Sequence, residues 1–422
     1  MRRLSPSLNV VIVGNGVAGV TAARTIKEKN PETQVSIYTD ESHHYYPRPR
    51  LYEILSGEAK PQEVYMFSEE WYKNRGINVQ LGKKVLRIQT ELKELLLEDQ
   101  SIVTYDKLLL ANGGHSFIPP IKGAEKTGVF TLRTIRDALT IKAFTKKTKK
   151  AIIIGGGLLG LEFASSLRNL GQQVTVVEIF PRLLPRQLDQ DGATILKNRI
   201  TSRGIDIVLG AKTVEILGKN TVSGILLDSG KEISGKLILI SAGMRSNTKL
   251  ALEAGIKVNR GIVVDGRLRT STKDVYAIGD VAEFKGTVYG IIPAALEQAM
   301  IAAANILGTE YNVYAGTIPS STLKVVDVDL TSVGLVNPEE PKYEEIKKED
   351  KKKGVYKKLV LDKGKIVGAI LLGDKKGVTA IRKLIAQETD ITKYKDSILQ
   401  DDFDYKKVAS LTQHLPHGSV NS

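Results

Sequence analysis

The sequence predicts an α/β fold of two doubly wound units followed by a smaller α+β domain. Three observations carry that expectation. A β-branched segment runs into a glycine-rich turn and a helix near residue 14, the same order recurs near residue 155, and alternating or apolar segments with glycine turns fill the chain beyond residue 320. At 422 residues the chain is too long for one core, so two or three domains are expected.

The first element is Leu8-Asn9-Val10-Val11-Ile12-Val13, apolar apart from Asn9, followed at once by Gly14-Asn15-Gly16-Val17-Ala18-Gly19. Each glycine has its own task. Gly14 permits the tight turn, Gly16 lets a pyrophosphate approach the backbone, and Gly19 lets the helix pack closely on the strand. The helix carries Val20, Ala22, Ala23 and Ile26 and stops near Asn30-Pro31, and Gln34-Val35-Ser36-Ile37-Tyr38 is the second strand. Glu41 stands roughly twenty residues past the last glycine, where a carboxylate accepts hydrogen bonds from an adenosine ribose, with Asp40 as the second candidate.

The pattern repeats as Ala151-Ile152-Ile153-Ile154, then Gly155-Gly156-Gly157-Leu158-Leu159-Gly160, a helix to Leu170-Gly171, and a strand Val174-Thr175-Val176-Val177 ending on Glu178. Two units of this kind point to two bound dinucleotides. A carboxylate at the end of that strand holds a ribose 2′-hydroxyl and repels a 2′-phosphate, so Glu178 argues for NADH over NADPH. Arg182 lies a few residues further on and is a candidate partner for a phosphate, which keeps the alternative open.

Sixty-one Lys and Arg against 47 Asp and Glu leave a net charge of +14. That sign favours acidic partners, whether a small protein, nucleic acid or an anionic membrane surface. It equally describes the solvated lysine-rich faces of charge-rich thermostable proteins. The cluster Lys142, Lys146, Lys147, Lys149 and Lys150 has the same two readings, and without an accompanying nucleic-acid motif a solvated helix end is preferred. The absence of cysteine excludes disulfides, thiolate catalysis, a Cys-ligated iron–sulfur cluster and a cysteine zinc site in this chain. No apolar stretch approaches the roughly eighteen residues of a membrane span, and the run after Arg2-Arg3 is too short for a secretory signal. A cytoplasmic protein with no membrane partner is expected.

Three further segments carry more. They are Leu108-Leu109-Leu110-Ala111-Asn112-Gly113-Gly114, then Thr272-Lys273-Asp274-Val275-Tyr276-Ala277-Ile278-Gly279-Asp280, and Gly290-Ile291-Ile292-Pro293-Ala294-Ala295-Leu296-Glu297-Gln298-Ala299, a helix with Pro in its first turn. With the double motif they resemble the FAD-dependent pyridine nucleotide oxidoreductases from about residue 8 to about residue 375. The resemblance implies interleaved domains: 1–112 and 241–316 binding FAD, 113–240 binding NADH, and 317–422 a C-terminal interface domain.

It further implies that FAD is held by Gly14, Gly16, Gly19, Glu41, Arg48, Ala111, Asp280 and the helix start at Ala294, and NADH by Gly155, Gly157, Gly160 and Glu178. Asp280 is expected to accept from a ribityl hydroxyl. The helix N-terminus at Ala294 is expected to favour the anionic reduced flavin. Glu162 matches a family glutamate near the nicotinamide and flavin rings, and Arg48 is expected near the isoalloxazine; these two are the catalytic candidates. Asn112 stands where the family has Thr, and Ser246 where it usually has Pro.

Within the family, Tyr45-Tyr46-Pro47-Arg48-Pro49-Arg50-Leu51-Tyr52-Glu53-Ile54-Leu55-Ser56-Gly57-Glu58 lacks the redox cysteine of the disulfide reductases and peroxidases. It is similar to the NADH:rubredoxin oxidoreductases and to the flavoprotein portion of assimilatory NADH nitrite reductases. Ferredoxin-reductase relatives have Lys at Glu53. Beyond it, Thr322–Gly334, Tyr356–Leu361 and Lys365–Asp374 read as strands, 337–354 as an exposed hairpin or loop, and the segment from Gly377 as helical. His43 and His44 sit side by side on an extended chain and face opposite ways, which favours packing or flavin shielding over a metal site.

The expected activity is hydride transfer from NADH to FAD and onward passage of electrons to a one-electron carrier, rubredoxin-like or ferredoxin-like and acidic, which a basic flavoprotein attracts by steering. Two rivals stand beside it: a flavin NADH oxidase using oxygen, and a basic, redox-gated nucleic-acid-binding flavoprotein. A homodimer is compatible with the resemblance.

Overall fold

The computed structural model describes residues 7–309, 313–405 and 408; the Arg2-Arg3 start and the tail with His414 and His417 lie outside the described residues. In chain order the strands of the two five-stranded parallel sheets are β1 (Asn9–Val13), β2 (Gln34–Tyr38), β3 (Ile77–Gln80), β4 (Lys107–Leu110), β5 (Val129–Phe130), β6 (Lys150–Ile154), β7 (Gln173–Glu178), β8 (Ile205–Leu209), β9 (Leu237–Ile240) and β10 (Val275–Ala277). The helices that matter for the sites are α1 (Val17–Lys29), α2 (Leu158–Asn169), α3 (Gln190–Thr201) and α4 (Ile292–Leu307). Among the described residues no helix is long and apolar enough to cross a membrane.

One compact unit takes residues up to 119, 131–143 and 242–317. Its sheet runs β10-β4-β1-β2-β3, parallel throughout. A parallel sheet is covered on both faces, which is why Val10, Val11, Ile12, Leu108, Leu109 and Leu110 form unbroken apolar runs and are all buried. Each such side chain contributes about 1.5–3 kcal/mol of transfer free energy. Asn9, the polar exception, is used at the strand's edge: its N–H donates to Asp106 and its side chain to the Thr104 carbonyl, each at 2.8 Å. Helices α1 and α4 pack together through small residues, with Ala18, Ala22, Ala23, Ala295, Ala299, Ala302 and Ala303 all buried.

The other unit takes residues 120–130, 144–241 and 318 onward. Its parallel sheet runs β8-β7-β6-β9-β5. Both parallel sheets reverse direction of winding beside their first glycine-bearing strand, between β1 and β4 in one and between β6 and β9 in the other. Such a switch point opens a crevice at the carboxyl ends of the strands.

The C-terminal part of the second unit is an antiparallel sheet of β11 (Ser320–Val325), β12 (Val328–Gly334), β13 (Glu344–Asp350), β14 (Val355–Asp362) and β15 (Lys365–Leu372), in the order β11-β12-β15-β14-β13. Helix α5 (Val378–Ala386) covers it, burying Ile381, Leu384 and Ile385 against Leu359, Leu361 and Leu371. Two features depart from the sequence reading. Thr322–Gly334 is two strands, not one, turned at Val326 and Asp327, which have φ of 49° and 61°. Two consecutive positive φ values give the turn whose twist suits a hairpin, but Val-Asp carries none of the Asn-Gly signal that marks it. The 337–354 stretch is indeed a hairpin arm, yet it contributes a seven-residue edge strand, β13, whose charged side chains suit a sheet edge.

Candidate dinucleotide sites

The two glycine turns are built alike. Gly14 and Gly155 sit at φ of 111° and 115°, which only glycine adopts without strain. A Cβ on Gly14 would stand 2.3 Å from the Ala111 carbonyl oxygen, so Ala111 serves by closing the floor of the turn. A Cβ on Gly19 would stand 2.0 Å from the Gly14 oxygen, and one on Gly160 2.2 Å from the Gly155 oxygen. Gly16 and Gly157 are the contrast: nothing lies within 4 Å of a Cβ placed on either. The middle glycine of each turn therefore faces open space while its neighbours are filled by backbone.

Both turns feed a bare helix end. Gly16 caps α1 and Gly157 caps α2 without any side-chain cap, and neither helix has an acid in its first turn. The orphaned N–H groups and the positive end of the helix dipole are thus left for an anion. These residues fit a dinucleotide pyrophosphate at each turn.

In the first unit Glu41 is bracketed by Arg48 and the Tyr46 hydroxyl, both in short contact with its carboxylate. Arg48 also donates to the Arg133 carbonyl at 3.0 Å. Burial pushes the Glu41 carboxyl up, but hydrogen bonding and charge from Arg48 outweigh it and hold the group below its ordinary value. Burial likewise opposes charge on Arg48, and Glu41 reverses that effect. Arg48 is thereby drawn to the acid at the end of β2.

Asp280 follows Gly279, which has φ of 74° and whose Cβ would lie 2.9 Å from that of Ala18 on α1. The turn is held on three sides. Arg133 pairs with the Asp280 carboxylate at 3.1 Å, the Ser246 hydroxyl donates to the Asp280 carbonyl at 2.7 Å, and the Gly279 N–H donates to Gln298 at 2.7 Å. Asn112 and Asn247 clasp each other, each side-chain amide donating to the other's carbonyl at 2.9 and 2.7 Å. The two departures from the family pattern, Asn112 and Ser246, are therefore both structural fasteners. Arg133 and Gln298 were not found from sequence, because their partners lie far away in the chain or across a turn. On α4, Ala294 is buried, and Ile292 in the same turn is exposed.

In the second unit Glu178 is 5% exposed and accepts from two backbone N–H groups, Gly156 at 2.6 Å and Phe180 at 2.9 Å. Its carboxylate is thus fixed against the glycine turn. Arg182 spends its guanidinium on its own loop, donating to the Leu188 carbonyl at 3.4 Å and the Pro185 carbonyl at 3.3 Å. Glu162 on α2 accepts from the Val326 N–H at 3.1 Å, at the tip of the β11–β12 turn.

Other candidates resolve into packing or surface. His43 bonds the Tyr65 hydroxyl at 2.7 Å, and His44 stacks on Tyr72 with ring centres 5.2 Å apart. Glu53 pairs with Arg50 at 2.7 Å. Lys146, Lys147, Lys149 and Lys150 are exposed.

Residues 8–302 match the pyridine nucleotide-disulphide oxidoreductase family and residues 319–389 the rubredoxin NAD+ reductase C-terminal domain. The chain is 39% identical over 393 residues to the nitrite reductase NAD(P)H of Bacillus subtilis, covering 93% of this chain and 49% of that protein. It is 31% identical over 380 residues to the NADH-rubredoxin oxidoreductase of Clostridium acetobutylicum, covering 90% of this chain and 94% of that one. The crystal structure of NADH:rubredoxin oxidoreductase from Clostridium acetobutylicum superposes with a TM-score of 0.75 at 30% identity, over 91% of this chain and 96% of that chain. The chain spans about half the length of that nitrite reductase and of the assimilatory nitrate reductase electron transfer subunit of Bacillus subtilis.

Proposed function

Since this chain belongs to the pyridine nucleotide-disulphide oxidoreductase family, we propose that it binds FAD and NADH and passes electrons from NADH to a small one-electron carrier protein of the rubredoxin or ferredoxin kind. The observation that carries this is the repeated turn: Gly16 and Gly157 each open onto free space beside an uncapped helix end, with an acid after the following strand.

Bound FAD supplies the exchange between a two-electron donor and a one-electron acceptor. The chain's own residues bind and orient. Gly14, Gly16, Gly19 and the α1 N-terminus take the FAD pyrophosphate. Glu41 accepts from the adenosine ribose, and Arg48, expected near the ring, also orients Glu41 and keeps it charged. Asp280, steadied by Arg133 and Ser246, accepts from a ribityl hydroxyl. The α4 N-terminus, uncapped and without a first-turn acid, favours negative charge on the reduced ring.

Gly155, Gly157, Gly160 and the α2 N-terminus take the NADH pyrophosphate. Glu178 presents its remaining lone pairs to the ribose hydroxyls. Arg182, turned into its own loop, supports NADH over NADPH. Glu162, steadied by the Val326 N–H, orients the nicotinamide end. Having no cysteine, the chain hands its electrons on without a thiol. Its charge of +14 draws an acidic carrier and speeds encounter at low salt.

Anaerobic titration of the FAD-loaded protein with NADH and with NADPH, followed by oxidised rubredoxin at two salt concentrations, tests this. Bleaching by NADH at lower concentration than NADPH, and carrier reduction that slows with salt, are expected. A protein that NADH does not bleach, or whose carrier reduction ignores ionic strength, contradicts the corresponding half.

A further inference from the structure

The loop between β7 and α3, residues 179–189, borders the second glycine turn. Its inner side is anchored there: the Leu184 N–H donates to the Gly156 carbonyl at 3.3 Å, and the buried Leu183 fills the space a Cβ on Gly156 would need, 2.7 Å away. Its outer side is anchored by the C-terminal sheet. Asn337, just past β12, donates its side-chain amide to the Pro185 carbonyl at 3.3 Å and the Leu188 carbonyl at 3.2 Å. Asp189, which caps α3 through the Gly192 N–H at 3.0 Å, also accepts from the Tyr356 hydroxyl of β14 at 2.6 Å and pairs with Lys358 at 3.2 Å.

The carbonyls that Asn337 holds are the same two that receive Arg182. A guanidinium is a rigid fork, and two acceptors fixed at the right separation hold it far better than two mobile ones. Arg182 stands four residues past Glu178, and a 2′-phosphate brings close to two negative charges to that neighbourhood. Its present orientation withholds its charge from such a group.

We infer that the C-terminal domain sets the nucleotide specificity of the second glycine site: Asn337, through the Pro185 and Leu188 carbonyls, keeps Arg182 turned into its loop, so that the site takes a ribose 2′-hydroxyl and turns away a 2′-phosphate. This rests on the NADH reading above. Asn337 is a positioning residue that touches no nucleotide itself. With Asn337 cut back, the loop carbonyls relax, Arg182 is released, and the phosphate-bearing nucleotide gains a partner.

The test uses FAD-loaded protein and the variants Asn337→Ala and, as a milder second change, Tyr356→Phe. Calorimetry gives the affinities for ADP-ribose and its 2′-phosphate, and steady-state kinetics the KM and kcat for NADH and NADPH. In Asn337→Ala the preference for the unphosphorylated nucleotide falls by at least roughly fivefold, through KM and not kcat, with the flavin spectrum unmoved; Tyr356→Phe shifts it the same way by less. Arg182→Ala in the Asn337→Ala background abolishes the gain. A wild type that prefers NADH while both variants keep the same ratio overturns this inference alone, as does a gain that survives loss of Arg182. A wild type that takes both nucleotides equally overturns the NADH reading and this one together.

Discussion

The Ser246 hydroxyl donates a 2.7 Å hydrogen bond to the main-chain carbonyl of Asp280, fastening the ribbon formed by Gly114–Ser116 and Met244–Ser246 to the turn that carries the acid. Ser246 is nearly buried, so the bond is shielded from water. Ser246→Ala removes the donor and loosens the Asp280 turn. The expected result is an FAD dissociation constant raised about fivefold, the equivalent of about 1 kcal/mol, with the fold intact. Flavin fluorescence quenching during titration of the apoprotein measures it, and an unchanged constant would remove Ser246 from the account.

The glycines separate by task. Gly16 and Gly157 have φ of −86° and −77°, which any residue adopts, and open space beyond them. Gly16→Val therefore yields a folded, colourless protein, and Gly157→Val a folded yellow protein that NADH no longer bleaches. Gly19→Ala and Gly160→Ala push a methyl into a carbonyl oxygen and give little soluble protein. Absorbance and circular dichroism on the four purified proteins distinguish these outcomes; a yellow Gly16→Val protein would contradict the pyrophosphate assignment.

Lys357 is 2% exposed and pairs with Asp374 at 2.5 Å. A buried ammonium without its carboxylate is costly, so Asp374→Ala is expected to destabilise the C-terminal sheet by about 3 kcal/mol or more. Replacing both, as Lys357→Met with Asp374→Leu, recovers most of that loss because neither charge is then stranded. Urea unfolding followed by the sheet's near-ultraviolet signal reads the difference. A double variant as weak as the single one would show that the loss comes from packing and not from charge.

Acid should loosen the same sheet. Burial alone raises the Asp189, Glu345 and Asp374 carboxyls, but Tyr356, the Gly192 N–H and Lys358 at the first, Lys358 and Lys347 at the second, and Lys357 and the Lys376 N–H at the third outweigh it and hold all three below the ordinary range. A carboxylate whose folded pKa lies below its unfolded one contributes stability that is whole above the unfolded value and lost as pH falls through the folded one. The melting temperature is thus expected to be flat from neutral pH down to about 5 and to fall below about pH 4. Lys358→Met should flatten that fall; a profile steeper in the variant than in the wild type would contradict the pairing.

Much of this was legible in the chain because glycine turns and buried parallel strands are local patterns. Gly14 to Gly19 and Gly155 to Gly160 announce strand, turn and helix within a dozen or so residues, and Glu41 and Glu178 follow each at the end of the next strand. What was not legible is made of distant pairs. Arg133 meets Asp280 only because the 131–143 segment belongs with the first unit, and Ser246 meets it across the folded ribbon. The pairing of Arg48 with Glu41, set beside Tyr46 and the Arg133 carbonyl, could not be read from the motif. The Val326–Asp327 turn escaped because it lies inside an alternating apolar run and Val326, a β-branched strand former, occupies a left-handed position that Asn or Gly would have signalled.

The most direct measurement is stopped-flow reduction of the FAD-loaded protein by NADH, with the reduced protein then mixed against oxidised rubredoxin or against oxygen. Fast bleaching by NADH and reoxidation much faster by rubredoxin than by oxygen is the expected result. Reoxidation that oxygen accomplishes faster than rubredoxin would make the protein an oxidase, and a flavin that NADH leaves yellow would contradict the two-site reading itself.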